Sequence, residues 1–162
     1  MIRRGGRGDV PFMRDMLRHA YYWRWGDPAT SDLPTSRYVD QWGRPGDAAM
    51  IALDDGISVG AAWYRLFKPS APGYGFVDES IPELTIAVVP SRRGRGFGEE
   101  LLAGLLERAR QEGYEALSLS VEKENPALRL YERFGFRPVS EIGDSVVMRA
   151  DLATASREGQ TL

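Results

Sequence analysis

The stretch richest in chemical possibility is Val88-Val89-Pro90-Ser91-Arg92-Arg93-Gly94-Arg95-Gly96-Phe97-Gly98-Glu99. It puts three glycines and three arginines just ahead of an apolar-periodic run. Helix N-termini leave backbone N–H groups unpaired and carry partial positive charge. Glycine lets an anion approach those groups, because no Cβ stands in the way. In outline this is a phosphate cradle, with Arg92, Arg93 and Arg95 adding charge. A Walker loop would end in Gly-Lys-Ser/Thr, but Gly98 is followed by Glu99-Glu100. Gly94, Gly96 and Gly98 have the wrong spacing for a dinucleotide fingerprint. A plain glycine turn into a helix would have no use for three arginines.

Such a cradle needs a strand before it and a helix after it. Glu83-Leu84-Thr85-Ile86-Ala87-Val88-Val89 reads as a strand stopped by Pro90. Gly96 to Glu112 reads as a helix with Phe97, Leu101, Leu102, Leu105, Leu106 and Ala109 on one face and Gly113 past its end. Leu117, Leu119 and Val121 alternate with Ser118 and Ser120, so another strand follows. A strand–helix–strand unit implies a right-handed crossover and a parallel pair.

Upstream, Ile2 to Arg4 reads as a short edge strand. Asp9 to about Tyr22 reads as a helix, with Asp9 as N-cap and Pro11 just inside. Trp23 to Leu33 is a loop, and Thr35 to Trp42 a second short helix. Ala48 to Leu53 and Ile57 to Phe67 form a hairpin about Asp54-Asp55-Gly56. Lys68 to Pro82 is a Pro/Gly-rich loop. Downstream, Asn125-Pro126 opens a helix carrying Leu128, Leu130, Tyr131 and Phe134, which Gly135 closes. Val139 to Ile142 and Ser145 to Met148 make a last hairpin around Gly143-Asp144. The expected class is α/β (α+β): one mixed, mostly antiparallel sheet with helices on both faces. Residues 1–152 are expected to form one domain and 153–162 a polar tail.

Composition narrows the chemistry further. The 162 residues are 43% hydrophobic, enough for one core without staples. With 21 Lys+Arg against 23 Asp+Glu the net charge is -2, which argues against a nucleic-acid partner. Cysteine is absent, so disulfides, thiolate metal sites and cysteine nucleophiles are out. One histidine, His19, excludes a multi-histidine metal site; no metal is expected. No apolar run approaches the ~18 residues of a membrane span, and the basic start lacks an apolar h-region. A cytoplasmic protein without a membrane partner is the expectation.

Arg93-Gly94-Arg95-Gly96-Phe97-Gly98 resembles the Gln/Arg-x-x-Gly-x-Gly/Ala motif of the GNAT superfamily of N-acetyltransferases. Leu84 to Pro90 looks like the family's fourth strand. Asn125-Pro126-Ala127-Leu128-Arg129-Leu130-Tyr131-Glu132-Arg133-Phe134-Gly135-Phe136 looks like its Asn-x-x-Ala/Leu-x-x-Tyr-x-x-x-Gly-Phe signature. Two motifs in order, separated by one helix and one strand, are far more specific than either alone. The resemblance covers roughly Ala48 to Ala150. It implies the GNAT fold, with about 6–7 strands and splayed central parallel strands that hold the cofactor.

The resemblance also implies roles. The amides of Arg93, Gly94, Arg95, Gly96, Phe97 and Gly98, with Glu99, would bind the diphosphate of acetyl-coenzyme A. The backbone of Ile86, Ala87 and Val88 would pair with the pantetheine arm, and the same strand would supply an N–H to the thioester carbonyl. Asn125 would bond that arm; it also reads as a helix cap. Tyr131 would be the general acid, protonating the departing thiolate; a core tyrosine is the alternative. Lysine-like amines (pKa ~10.4) cost about 4.6 kcal/mol to deprotonate at pH 7, and α-amines near ~8 about 1.4. Glu83 is the candidate base, acting through a water, against a solvated strand-end glutamate. A ribosomal-protein branch of the family has its glutamate base at the position of Ser120, so the resemblance to that branch is disfavoured. Glu122 is expected on the opposite side, and His19 is a further candidate base.

The implied activity is acetyl transfer to a primary amine on a small molecule or a protein. Tyr22, Trp23 and Trp25, with Tyr21, Asp27, Asp32 and Asp144, are the acceptor-site candidates, since aromatics beside acids suit an ammonium group. The rivals are a non-catalytic acyl-coenzyme A sensor of the same fold and a transferase of a longer acyl group. Dimers are common in the family, so a homodimer stays open.

Overall fold

A computed structural model describes residues 1–21 and 37–152. The strands are β1 (Ile2–Arg4), β2 (Ala48–Asp54), β3 (Ile57–Arg65), β4 (Glu83–Val88), β5 (Ala116–Glu122), β6 (Arg137–Ile142) and β7 (Ser145–Asp151). The α-helices are α1 (Val10–Tyr21), α2 (Phe97–Gln111) and α3 (Ala127–Arg133). The strands hydrogen-bond in the order β1-β2-β3-β4-β5-β7-β6, a mixed sheet of seven. The β4–β5 pair is parallel, and the pairs β1–β2, β2–β3, β5–β7 and β6–β7 are antiparallel.

Contacts divide the chain into two units that share β4 and α2: Met1–Arg65 with Thr85–Leu105, and Leu66–Leu84 with Leu106–Leu162. In the first, β2 and β3 turn at Asp55 and Gly56, both at positive φ (50° and 81°). Two such residues make the turn whose twist matches a hairpin, and Asp and Gly tolerate it best. From Val59 to Arg65 every residue of β3 is buried, so both faces of the strand are covered. α2 covers one face. A Cβ on Gly104 would stand 2.7 Å from Ile2 Cδ1, and one on Gly60 would stand 3.2 Å from Leu101 Cδ1. On the other face, Trp63 Nε1 donates to the Tyr38 carbonyl (3.0 Å).

Two expectations change here. A 3-10 turn, Arg7–Asp9, precedes α1, so Asp9 does not cap that helix. Its carboxylate instead accepts from Gly6 N–H (2.9 Å) and from both Nη atoms of Arg3. The Arg3 hydrogen bond leads in holding the Asp9 carboxyl below its usual range. Residues 37–38 are 3-10 and residues 39–41 a turn in place of the expected second helix; residues 35 and 36 lie outside the described set.

In the second unit, β5 pairs with β7 along its whole length, Ala116 opposite Asp151 to Glu122 opposite Ser145. The β4–β5 ladder is one pair long, Glu83 opposite Ser118. α2 ends where expected, with Gly113 at φ 86° and its N–H on the Arg110 carbonyl (3.1 Å). The loop after β3 lies on β5: a Cβ on Gly75 would sit 2.5 Å from the Leu119 carbonyl carbon. Only glycine allows that approach.

Candidate active site

The first unit contains the glycine–arginine loop. Val88 ends the strand, and after Val89 a 3-10 turn spans Pro90–Arg92. Gly94 and Gly96 are left-handed (φ 78° and 87°), and a Cβ on either would meet nothing within 4 Å. Their conformation requires glycine, and their outer side is open to a ligand. The first α-helical bond of α2 runs from Glu100 N–H to the Gly96 carbonyl (3.1 Å). The N–H groups of Phe97 and Gly98 therefore lie ahead of any intrahelical acceptor. Open left-handed glycines, a helix N-terminus and arginines make a donor set that fits a diphosphate.

The three arginines have distinct postures. Arg92 Nε reaches Asp54 Oδ2 (3.1 Å), and Arg95 Nη1 reaches the same oxygen (3.4 Å). Arg95 also lies over the Phe97 ring, 5.7 Å from its centroid. Arg93 turns back and donates from Nε to the Val88 carbonyl (3.3 Å). Asp54 was not legible as part of this loop, because only the β2–β3 hairpin brings it there.

β4 presents its backbone alternately to its two neighbours. Val89 N–H donates to the Val59 carbonyl (2.8 Å). The Ala87 carbonyl also faces β3, 3.1 Å from where a Gly60 Cβ would stand. By alternation, Ile86 and Val88 turn their backbone groups the other way. Burial pulls His19 below the usual histidine range; Arg93 and Arg18 add to this and Asp15 opposes it.

The second unit contains the ionisable candidates. Glu83 is 2% exposed, so the solvated strand-end alternative does not hold. It stands opposite Ser118, whose N–H donates to the Pro82 carbonyl (3.0 Å). Ser118 is fully buried, and its Oγ has no hydrogen-bond partner among the described residues. Ser120 and Glu122 are opposite Val147 and Ser145, and period-2 alternation puts them on one face. Glu122 is thus not on the opposite side from Ser120, as expected. Ser120 lines a small cleft with Tyr74, Ile142, Ser145 and Val147.

Asn125 Oδ1 accepts from Ala127 N–H (2.9 Å), the capping bond, at the start of α3. The Tyr131 ring is buried edge-on to Phe136, with centroids 5.9 Å apart. Burial pushes the Tyr131 phenol well above its usual pKa. No described residue hydrogen-bonds its hydroxyl. Tyr22, Trp23, Trp25, Asp27 and Asp32 lie outside the described residues, as does the Tyr21 side chain. Among the described residues no cluster of three His, Asp or Glu could hold a metal ion, and no helix is long and apolar enough to cross a membrane.

The sequence model of the acetyltransferase (GNAT) family matches residues 10–136. The chain belongs to that family. The chain is 36% identical over 128 residues to a mycothiol acetyltransferase of Acidimicrobium ferrooxidans, covering 75% of this chain and 38% of that protein. It is 30% identical over 114 residues to an L-methionine sulfoximine/L-methionine sulfone acetyltransferase of Pseudomonas aeruginosa, covering 69% and 63%. The chain thus spans less than two thirds of the length of these curated relatives. Among solved structures, ribosomal-protein-alanine N-acetyltransferase of Brucella melitensis superposes with a TM-score of 0.70 at 26% identity, over 94% of this chain and 99% of that one.

Proposed function

We propose that this chain transfers an acetyl group from acetyl-coenzyme A to a primary amine by direct attack in a ternary complex. The observation that carries the reading is the open pair of left-handed glycines, Gly94 and Gly96, leading into the N-terminus of α2 in a GNAT family member. Residues 1–152 act in this reading as one acetyltransferase domain with a polar tail, since β4 and α2 belong to both units.

Arg93 to Glu99 would hold the diphosphate. Ile86 and Val88 would hold the pantetheine arm, with Ala87 turned toward β3, and Asn125 would contribute its side-chain amide. Bound acetyl-coenzyme A supplies the acyl group as an activated thioester. Glu83 takes a proton from the ammonium form of the acceptor through a water, which frees the nitrogen lone pair. Tyr131 carries its phenol proton at neutral pH, as a phenol ordinarily does, and gives it to the departing sulfur. Tyr22, Trp23 and Trp25 are the proposed acceptor contacts. A cytoplasmic location is part of the reading and is checked by cell fractionation. A second copy of the chain as partner is checked by sedimentation.

Calorimetric titration with acetyl-coenzyme A, with adenosine diphosphate as control, tests the reading. Saturable binding much tighter than the control supports it; no binding at millimolar donor removes it. The acceptor screen then starts with methionine sulfone and a peptide beginning with alanine, because relatives are named for such acceptors.

A further inference from the structure

We propose that Asp54 is a positioning residue for the anion cradle: its carboxylate holds Arg92 and Arg95 in the postures from which they meet the cofactor's diphosphate. The inference rests on the acetyl-transfer reading above. Asp54 is the last residue of β2, and Arg92 and Arg95 stand on the glycine–arginine loop, all three within the first unit. One oxygen, Oδ2, takes both contacts, Arg92 Nε at 3.1 Å and Arg95 Nη1 at 3.4 Å.

Two guanidiniums this close repel each other, and a carboxylate between them offsets that repulsion. Each gives one nitrogen to Asp54. Arg92 Nη1 also reaches Ser91 Oγ (2.9 Å), and the Arg95 guanidinium lies against the Phe97 ring. The rest of each N–H fork stays open to an anion, with the Arg92 side chain 31% and the Arg95 side chain 54% exposed. Two arginines against one carboxylate leave the group positive, so it still attracts phosphate.

The sheet gives Asp54 a fixed base. Leu53 N–H donates to the Met1 carbonyl (2.8 Å), and Val89 N–H, at the root of the loop, donates to the Val59 carbonyl (2.8 Å). The carboxylate and the loop are thus held on neighbouring strands of one sheet. Ion pairs as exposed as these add little to stability. Their consequence is conformational: a long side chain that is already ordered loses less freedom when it binds. A carboxylate beside the cradle also repels phosphate, and salt screens that repulsion. The two effects have opposite signs, so an affinity measurement separates them.

Asp54→Ala in the full chain tests this, in binding to acetyl-coenzyme A and to inorganic pyrophosphate. Calorimetry should read about tenfold weaker binding with the thermal midpoint nearly unchanged. In an Arg92→Ala/Arg95→Ala background, Asp54→Ala should weaken binding no further, because Asp54 acts only through those two side chains. In the unliganded protein the Arg92 Nε–H resonance, assigned by its loss in Arg92→Lys, should exchange with water faster in Asp54→Ala than in the parent. Binding in Asp54→Ala as tight as the parent's, or tighter, overturns the proposal, since the carboxylate then only competes with the anion. Equal further weakening in the Arg92→Ala/Arg95→Ala background overturns it too. A parent that binds pyrophosphate but not acetyl-coenzyme A removes the acetyl-transfer reading, and the pyrophosphate comparison still decides the role of Asp54. A parent that binds neither overturns both.

Discussion

Arg65 and Asp47 form a two-point ion pair inside the first unit, Nη2 to Oδ2 at 2.7 Å and Nε to Oδ1 at 2.9 Å, with both side chains almost wholly buried. Arg65 Nη1 also donates to the carbonyls of Arg37 (2.9 Å) and Asp40 (2.7 Å), and its guanidinium lies over Trp42. One arginine thus ties the end of β3 to the segment 37–47. Removing one partner of a buried pair strands a charge, at a cost of about 3–5 kcal/mol. Asp47→Ala should lose about that much stability in urea unfolding. Replacing both residues by apolar ones should lose less than Asp47→Ala alone.

Tyr131→Phe should lower turnover by about 10²–10⁴-fold while leaving acetyl-coenzyme A affinity unchanged. The variant should fold, because no described residue relies on the hydroxyl. Steady-state kinetics beside calorimetry would decide it. Turnover equal to the parent would leave Tyr131 as a core residue and favour another acid.

The raised phenol pKa of Tyr131 has a sign in the pH dependence of stability. Its folded pKa lies above the unfolded value of 10.0. The contribution is complete below pH ~10 and is lost as pH rises beyond it, because only the unfolded chain ionises there. Unfolding scans from pH 8 to 11 should show a steeper alkaline decline in the parent than in Tyr131→Phe.

Gly96→Ala should weaken acetyl-coenzyme A binding without unfolding the protein. A Cβ there meets no neighbour, so the cost comes from φ 87°. A left-handed non-glycine residue costs about 1–2 kcal/mol, enough to move the loop away from its cradle shape. Calorimetry should read a loss of roughly tenfold in affinity for each 1.4 kcal/mol.

Gly75→Ala should be more damaging to stability, because its Cβ would press on the β5 backbone at 2.5 Å. Overpacking of this kind costs about 1–3 kcal/mol. Thermal unfolding would measure it, and an unchanged midpoint would show that the loop shifts at no cost.

The sequence carried the period-2 and period-3.6 patterns, and these located β2, β3, β4, β5 and α2 within a residue or two. It carried the cradle as well, since glycine at Gly94 and Gly96 reports directly on backbone shape. Interactions between distant segments were not legible. Nothing near Asp54 says that it will meet Arg92 and Arg95, and nothing near Gly75 says that it will lie on β5. Asp9 was misread because a 3-10 turn and a cap share the same residue preferences. Glu83 was open between solvent and core because an acid at a strand end fits either; its pairing with Ser118 decides in favour of the core.

All six residues of β6 are exposed, and the strand ends the sheet. An open edge is a template on which unrelated strands can add, the first step of aggregation. Here the edge carries Arg137 and Glu141, a proline without an N–H at 138, and a register shift just after it. Charge and a broken hydrogen-bond row blunt such growth. Replacing Pro138 would thus remove a safeguard that matters only in concentrated solution, where chains meet edge to edge.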